Sequence, residues 1–282
     1  MVEMIYLLGA GRSGTTLLSA VLHAHKNIHT LGEMHQFPEY LGENKRCSCG
    51  RSLDKCEFWS LAIKDMSPDL LKTQDYKDEL NKAEAHSRIP GYLLGQKSKK
   101  RYDKLQTEIL RACSKATKKK WLLDSSKYIS RFLLLNRNGE LNIKGIYVVR
   151  DVRGVVESFG KNVQTPKGPL ATLVYYGLIN AFGEVVSRLF ANVLKVRYED
   201  FVRNPENVVE KILNHLNESD TAGDTLPAEF SMPHIIGGNR MKSERQIRIN
   251  PEEQWRTRLP RWKQIAYYIG VWPLMIINGY KV

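Results

Sequence analysis

Near its start the chain runs Met4-Ile5-Tyr6-Leu7-Leu8, then Gly9-Ala10-Gly11-Arg12-Ser13-Gly14-Thr15-Thr16, then Leu17-Leu18-Ser19-Ala20-Val21-Leu22. An apolar run short enough for a buried strand, a glycine turn and a segment of helical apolar spacing predict strand, turn and helix in that order. Such a turn crowds unpaired backbone amides at the positive end of a helix, and that arrangement receives anions.

The glycine spacing is that of the phosphate loop G-x-x-x-x-G-K-[ST], but Thr15 stands where the lysine belongs. In ATPases and GTPases that lysine reaches the β- and γ-phosphates, so its loss removes the main cation for γ-phosphoryl transfer. Here the cation stands three residues earlier, at Arg12. A second anion signature lies downstream. The apolar run Ile143-Lys144-Gly145-Ile146-Tyr147-Val148-Val149 reads as a strand and ends in Arg150-Asp151-Val152-Arg153-Gly154-Val155-Val156-Glu157-Ser158. Arg150 leaves the strand tip, and Ser158 follows about two helical turns later on the same side. An arginine fork beside a hydroxyl suits a phosphate monoester. A phosphoryl-transfer enzyme would need an aspartate for Mg²⁺ at a strand end, and Asp151 is not expected to serve.

Together, [KR]-S-G-T-T after a strand and R-D-x-R-x-x-x-x-S resemble the 5′-phosphosulfate loop and the 3′-phosphate site of sulfotransferases that use 3′-phosphoadenylyl sulfate (PAPS). The resemblance spans nearly the whole chain. It implies one P-loop-type three-layer α/β domain over residues 1–282, with a roughly five-stranded parallel sheet and a helical insertion at about 60–118. The reaction implied is in-line sulfuryl transfer to an acceptor hydroxyl, with PAP as product and no metal required. Cofactor contacts are implied for Arg12, Ser13, Gly14, Thr15, Thr16, Arg150 and Ser158.

Further stretches extend the resemblance. Asn27-Ile28-His29-Thr30-Leu31-Gly32-Glu33 suits a second strand delivering Glu33, and strand ends are where open parallel sheets place ligands. In carbohydrate and tyrosylprotein members a glutamate in a similar Gly-Glu context is the catalytic base. An exposed loop carboxylate is the other reading, and His35 is the second candidate base. Asp124-Ser125-Ser126-Lys127 is similar to an element whose lysine approaches the bridging oxygen of the leaving group; the alternative is a serine helix cap with Lys127 exposed. Val196-Arg197-Tyr198-Glu199-Asp200-Phe201 resembles a segment whose tyrosine contacts the cofactor, although Tyr198 reads equally as a core aromatic. Gly237-Gly238-Asn239-Arg240 is similar to a C-terminal loop that closes on the nucleotide, which adds Gly238, Asn239 and Arg240 to the expected site. The same likeness suggests a carbohydrate or glycolipid acceptor.

The sign of the charge matters next. With 43 Lys plus Arg against 30 Asp plus Glu, the formal net charge of +13 favours polyanionic partners, including peripheral contact with an anionic surface. Lys97 to Arg101 and Lys118 to Lys120 read as solvated patches, and no nucleic-acid motif accompanies them. No signal-peptide pattern precedes the first strand, no run is expected to reach a membrane-spanning length, and a cytoplasmic location is expected. Ile265 to Ile277 is broken by Gly270 and Pro273 and reads as a helix pair. From Ser67 to Thr117 the spacing is helical, with a break at Ile89-Pro90-Gly91. Cys47, Cys49 and Cys56 cluster while Cys113 stands apart; zinc, a disulfide or reduced packing all fit. A structural zinc ion would need a fourth ligand, from Cys113, a histidine or a carboxylate. Two other functions remain open: an ATP- or GTP-dependent P-loop kinase or NTPase, and a non-catalytic nucleotide- or polyanion-binding protein.

Overall fold

Five strands, β1 (Val2–Leu8), β2 (Ile28–Gly32), β3 (Trp121–Lys127), β4 (Leu141–Val149) and β5 (Val193–Arg197), form a parallel sheet in the order β2-β3-β1-β4-β5. The computed structural model describes residues 1–67, 73–97, 100–161, 166–218, 226–227, 229–238, 240–244, 246–250 and 253–282. β3 pairs with both β1 and β2, with Ile5 opposite Leu123 and Thr30 opposite Leu123. Nearly every residue of β1, β2 and β3 is buried, which is why these strands read as unbroken apolar runs rather than as alternating ones. The α/β class and strand number agree with the sequence expectation. The chain divides into two compact units.

The first unit comprises Met1–Leu8, Thr16–Gly145 and Phe230–Ile247. Its insertion between β2 and β3 is helical among the described residues, with helices at Trp59–Lys64, Thr73–Ala83, Ile89–Leu93 and Lys100–Ala116. Pro90 lies in the first turn of its helix, so it begins one where a break alone was expected. β3 runs on through Lys127, and Tyr128 rather than a serine precedes the helix Ile129–Leu135. The serine-cap alternative therefore fails, because Ser125 and Ser126 are still in the strand.

The second unit comprises Gly9–Thr15, Ile146–Glu229 and Arg248–Val282. Its longest helix, Pro169–Leu189, has 21 residues and a mean hydropathy of 1.3 in its most apolar window, enough by length and composition to span a membrane. This corrects the expectation that no run reaches that length. One face packs on β4 through Tyr176, Asn180 and Gly183, where the Tyr147 hydroxyl donates to Asn180 Oδ1 at 2.9 Å. Leu170, Val174, Leu178 and Leu189 stand exposed on the helix. A short helix, Tyr198–Arg203, follows β5, and a second, Pro205–His215, begins at Pro205. The tail forms the expected pair, Arg261–Gly270 and Trp272–Ile277, hinged at Val271.

Candidate functional site

In the second unit the glycine turn is locked from three sides. Gly14 adopts φ 88°, and a Cβ there would lie 2.2 Å from Cδ2 of Tyr198, so the turn rests directly on that ring. The same ring carries the Arg150 guanidinium, with Cζ 4.3 Å from its centroid, a cation–π contact. Arg150 Nη1 donates to the Arg12 carbonyl at 2.9 Å, and Arg12 Nε donates to Ser158 Oγ at 2.9 Å. The strand tip, the turn and the following helix thus meet through residues that the sequence pairs only by motif. Tyr175, which no motif singled out, accepts from the Gly11 amide at 2.9 Å.

The turn fits an anion. Ser13 is fully buried, yet its hydroxyl has no hydrogen-bond partner among the described residues. An unpartnered buried hydroxyl costs about 1–3 kcal/mol, and a phosphate or sulfate oxygen would supply the partner. Asp151, by contrast, is committed elsewhere. Its carboxylate accepts from the Arg153 amide at 2.8 Å, capping the helix Val152–Phe159, and pairs with Arg153 Nη2 at 2.7 Å.

In the first unit Glu33 follows β2 and forms an ion pair with Lys127 at the end of β3. Both side chains are largely sequestered, at 11% and 17% exposure. Gln36 Nε2 donates to the second carboxylate oxygen at 2.8 Å, and the Glu33 amide donates to the Ile236 carbonyl at 2.8 Å. Gly237 then presses on Glu33: at φ 64°, a Cβ would lie 2.6 Å from Glu33 Cβ. A Cβ on Gly238 would lie 4.0 Å from Thr16 Cγ2, so consecutive glycines pack on Thr16 and on the base of the Glu33 side chain. Asn239 lies outside the described residues; Arg240 opens a short 3₁₀ turn, Arg240–Ser243.

Four non-glycine residues adopt positive φ among those described. Asn44 and Asn217 belong to a type that tolerates it; the others are Arg12 and Lys127, both at φ 71°. Strained backbone at both expected catalytic cations is the pattern of a functional site, where position is held at a cost of roughly 1–3 kcal/mol per residue.

Beneath Glu33 lies a buried charge cluster that sequence reading missed. Arg131 donates through Nε to Asp124 Oδ2 at 2.9 Å and through Nη1 to Glu84 Oε1 at 2.5 Å. Asp124 also accepts from the amides of Ser126 at 2.9 Å and Met34 at 3.4 Å, while Ser126 Oγ accepts from the His35 amide at 3.1 Å. One carboxylate therefore holds the strand end that bears Lys127 beside the residues that follow Glu33. Asp-x-Ser before a lysine, with an arginine seven residues on, was the available signal.

Burial, then Lys127 and Arg131, hold His35 at a pKa of about 3, so this second candidate is a weak proton acceptor at neutral pH. Burial and Lys119 lower His23 to about 3 and His29 to about 4. Lys119 Nζ sits there because it donates to the carbonyls of His23, His25 and Ile28 at 2.8–3.0 Å. Unfolded, each histidine binds its proton near 6.5, so between that value and the folded one the unfolded chain holds more protons. Stability is therefore expected to be full above pH 6.5 and to fall as pH drops toward 4. Thermal melts check this, and a His29→Asn variant should show the shallower slope.

The sulfotransferase family model matches residues 4–222. Among solved structures, the sulfotransferase domain from the Synechococcus PCC 7002 olefin synthase is 20% identical, with a TM-score of 0.62 over 99% of this chain and 95% of that one. The sulfotransferase domain from the curacin biosynthetic pathway is also 20% identical, with a TM-score of 0.53 over 100% and 99%. A Mycobacterium avium sulfotransferase is 14% identical, with a TM-score of 0.50 over 100% and 78%. No curated protein sequence matches the chain. The chain belongs to the sulfotransferase family.

Proposed function

We propose that Glu33 is the general base for sulfuryl transfer from PAPS, and that the acceptor hydroxyl belongs to a carbohydrate or glycolipid. The observation that carries the base assignment is the sequestered Glu33–Lys127 pair, held by Gln36 on one side and Gly237 on the other. In this reading Glu33 takes the proton of the acceptor hydroxyl as its oxygen bonds to sulfur. The bond from sulfur to the bridging phosphate oxygen breaks, and the electron pair leaves with PAP. Lys127, Arg12 and the amides of Ser13 to Thr16 stabilise the charge growing on that oxygen; preorganised donors of this kind contribute a few kcal/mol each. Lys127 has a second duty. Paired with Glu33 before acceptor binds, it holds the carboxylate in place, and as the leaving group develops charge its ammonium can serve both partners.

Arg150 and Ser158 would receive the 3′-phosphate, with the Tyr198 ring supporting the guanidinium. Arg150→Ala is expected to weaken PAP binding by about 10- to 100-fold, the worth of a charge-assisted hydrogen bond. Calorimetric titration with PAP checks it, and unchanged affinity would remove Arg150 from the site. The acceptor assignment rests on family resemblance alone. Incubation with labelled PAPS and a panel of glycans, glycolipids, tyrosyl peptides and small phenols tests it; label on peptides or phenols alone would overturn it.

A further inference from the structure

Away from the transfer site, the first unit brings three sulfurs and an imidazole together. The ligand atoms of Cys47, Cys49, Cys56 and His234 all lie within 4.8 Å of one another. Cys49 Sγ is 3.8 Å from Cys56 Sγ, and Cys56 Sγ is 3.2 Å from His234 Nδ1. We propose that this cluster is a Cys₃His structural zinc site that pins the segment carrying Gly237 and Gly238 to the strand end that carries Glu33.

The geometry suits the metal. With Zn–S near 2.3 Å, the edge of a tetrahedral site between two sulfurs is about 3.8 Å, which is the separation found. A disulfide would need its sulfurs at about 2.05 Å, and the four cysteines of the chain are free. Cys113, once a candidate fourth ligand, is buried apart from the cluster, and His234 fills the role.

The local folding supports a preformed site. Cys47 and Cys49 sit on a tight turn closed by the Gly50 amide donating to the Cys47 carbonyl at 2.9 Å, with Gly50 at φ 81°. A 3₁₀ turn, Leu53–Lys55, then delivers Cys56. The fourth ligand comes from 178 residues farther along and is independently fixed: Trp59 Nε1 donates to the His234 carbonyl at 3.1 Å. Glu57 Oε2 lies 4.0 Å from His234 Nε2, the ring nitrogen opposite the ligating one. A carboxylate hydrogen-bonded at that nitrogen orients a metal-bound histidine, and Glu57 stands one side-chain rotation short of that contact. Three thiolates with one Zn²⁺ leave a net charge of −1, and Arg46, Arg51 and Lys55 line the adjoining hollow.

The consequence reaches the transfer site through backbone. Ser48 exchanges hydrogen bonds with Ile235, its amide donating to the carbonyl at 3.1 Å and its hydroxyl accepting from the amide at 3.0 Å. The next residue, Ile236, donates to the Leu31 carbonyl at 3.1 Å and accepts from the Glu33 amide at 2.8 Å. A metal that holds His234 thus sets where Ile236 and Gly237 meet Glu33.

Elemental analysis of the full chain, purified without chelator, is expected to find one zinc per chain. Cys56→Ser and His234→Ala should lose most of it, whereas Cys113→Ser and His234→Cys, which keeps four ligands, should retain it. Because a ligand variant could fail to fold, cobalt exchange into the wild-type protein provides a second reading: visible bands of a tetrahedral thiolate complex are expected. Zinc content unchanged in both Cys56→Ser and His234→Ala, or a wild-type chain that takes up neither zinc nor cobalt, would overturn the proposal. Metal content is read without any sulfuryl transfer, so its failure leaves the assignment of Glu33 standing.

Discussion

Glu33→Gln is expected to cut turnover by about 10²- to 10⁴-fold, the usual worth of a positioned general base, while PAP binds as before. Glutamine keeps the length and planarity of the side chain and one oxygen for Lys127, so the pocket between Gln36 and Gly237 is preserved. What it loses is the ability to accept the acceptor's proton. Of the groups proposed to bind PAP, Arg12, Arg150 and Ser158 are joined within the second unit by the hydrogen bonds from Arg150 to the Arg12 carbonyl and from Arg12 to Ser158, and the substitution alters none of them. Turnover and nucleotide affinity should therefore separate cleanly in steady-state kinetics and calorimetry. Full turnover in Glu33→Gln would remove the base assignment.

Arg131→Met is expected to cost about 3–5 kcal/mol of stability, because removing one partner of a buried ion cluster strands the others. Arg131, Asp124 and Glu84 are all essentially excluded from solvent, and burial already raises the pKa of Glu84 despite the arginine. Without the guanidinium, two carboxylates would face each other across a methionine. For a chain of this size that loss corresponds to a fall in melting temperature of roughly 10 °C. Replacing all three together, as Arg131→Met with Asp124→Asn and Glu84→Gln, should recover much of the stability, since no charge is then stranded. The activity of this triple variant is informative separately. Asp124 holds the Met34 amide and the Ser126 turn beside Lys127, so a stable but slow enzyme is the expected result. A single variant as stable as the wild type in thermal melts would contradict the cluster's role.

The sheet and the anion turn were legible because their signals are local. Short apolar runs ending in Arg150 or in Gly9 announce buried strands, and the glycines and hydroxyls of the turn lie consecutively. The strand end placed Glu33, but its role and that of Lys127 were legible only through resemblance, and their pairing across 94 residues is a product of strand order that no spacing encodes. Arg131 was hidden inside an apolar helix, where its periodicity is that of a core residue and its two partners are seven and 47 positions away. His234 was passed over for a related reason: it stands in a polar tract, and only the fold carries it to cysteines that cluster near residue 50. A helix start was missed at Pro90, because proline fits a turn or a first helical position equally well.

The most direct test of the donor is calorimetric titration of the purified chain with PAP and, separately, with Mg·ATP. The structure, with its Ser13 hydroxyl open to an anion and Asp151 already spent on Arg153, predicts tight binding of PAP without added magnesium and weak binding of Mg·ATP. Tight, magnesium-dependent binding of ATP with no binding of PAP would contradict it.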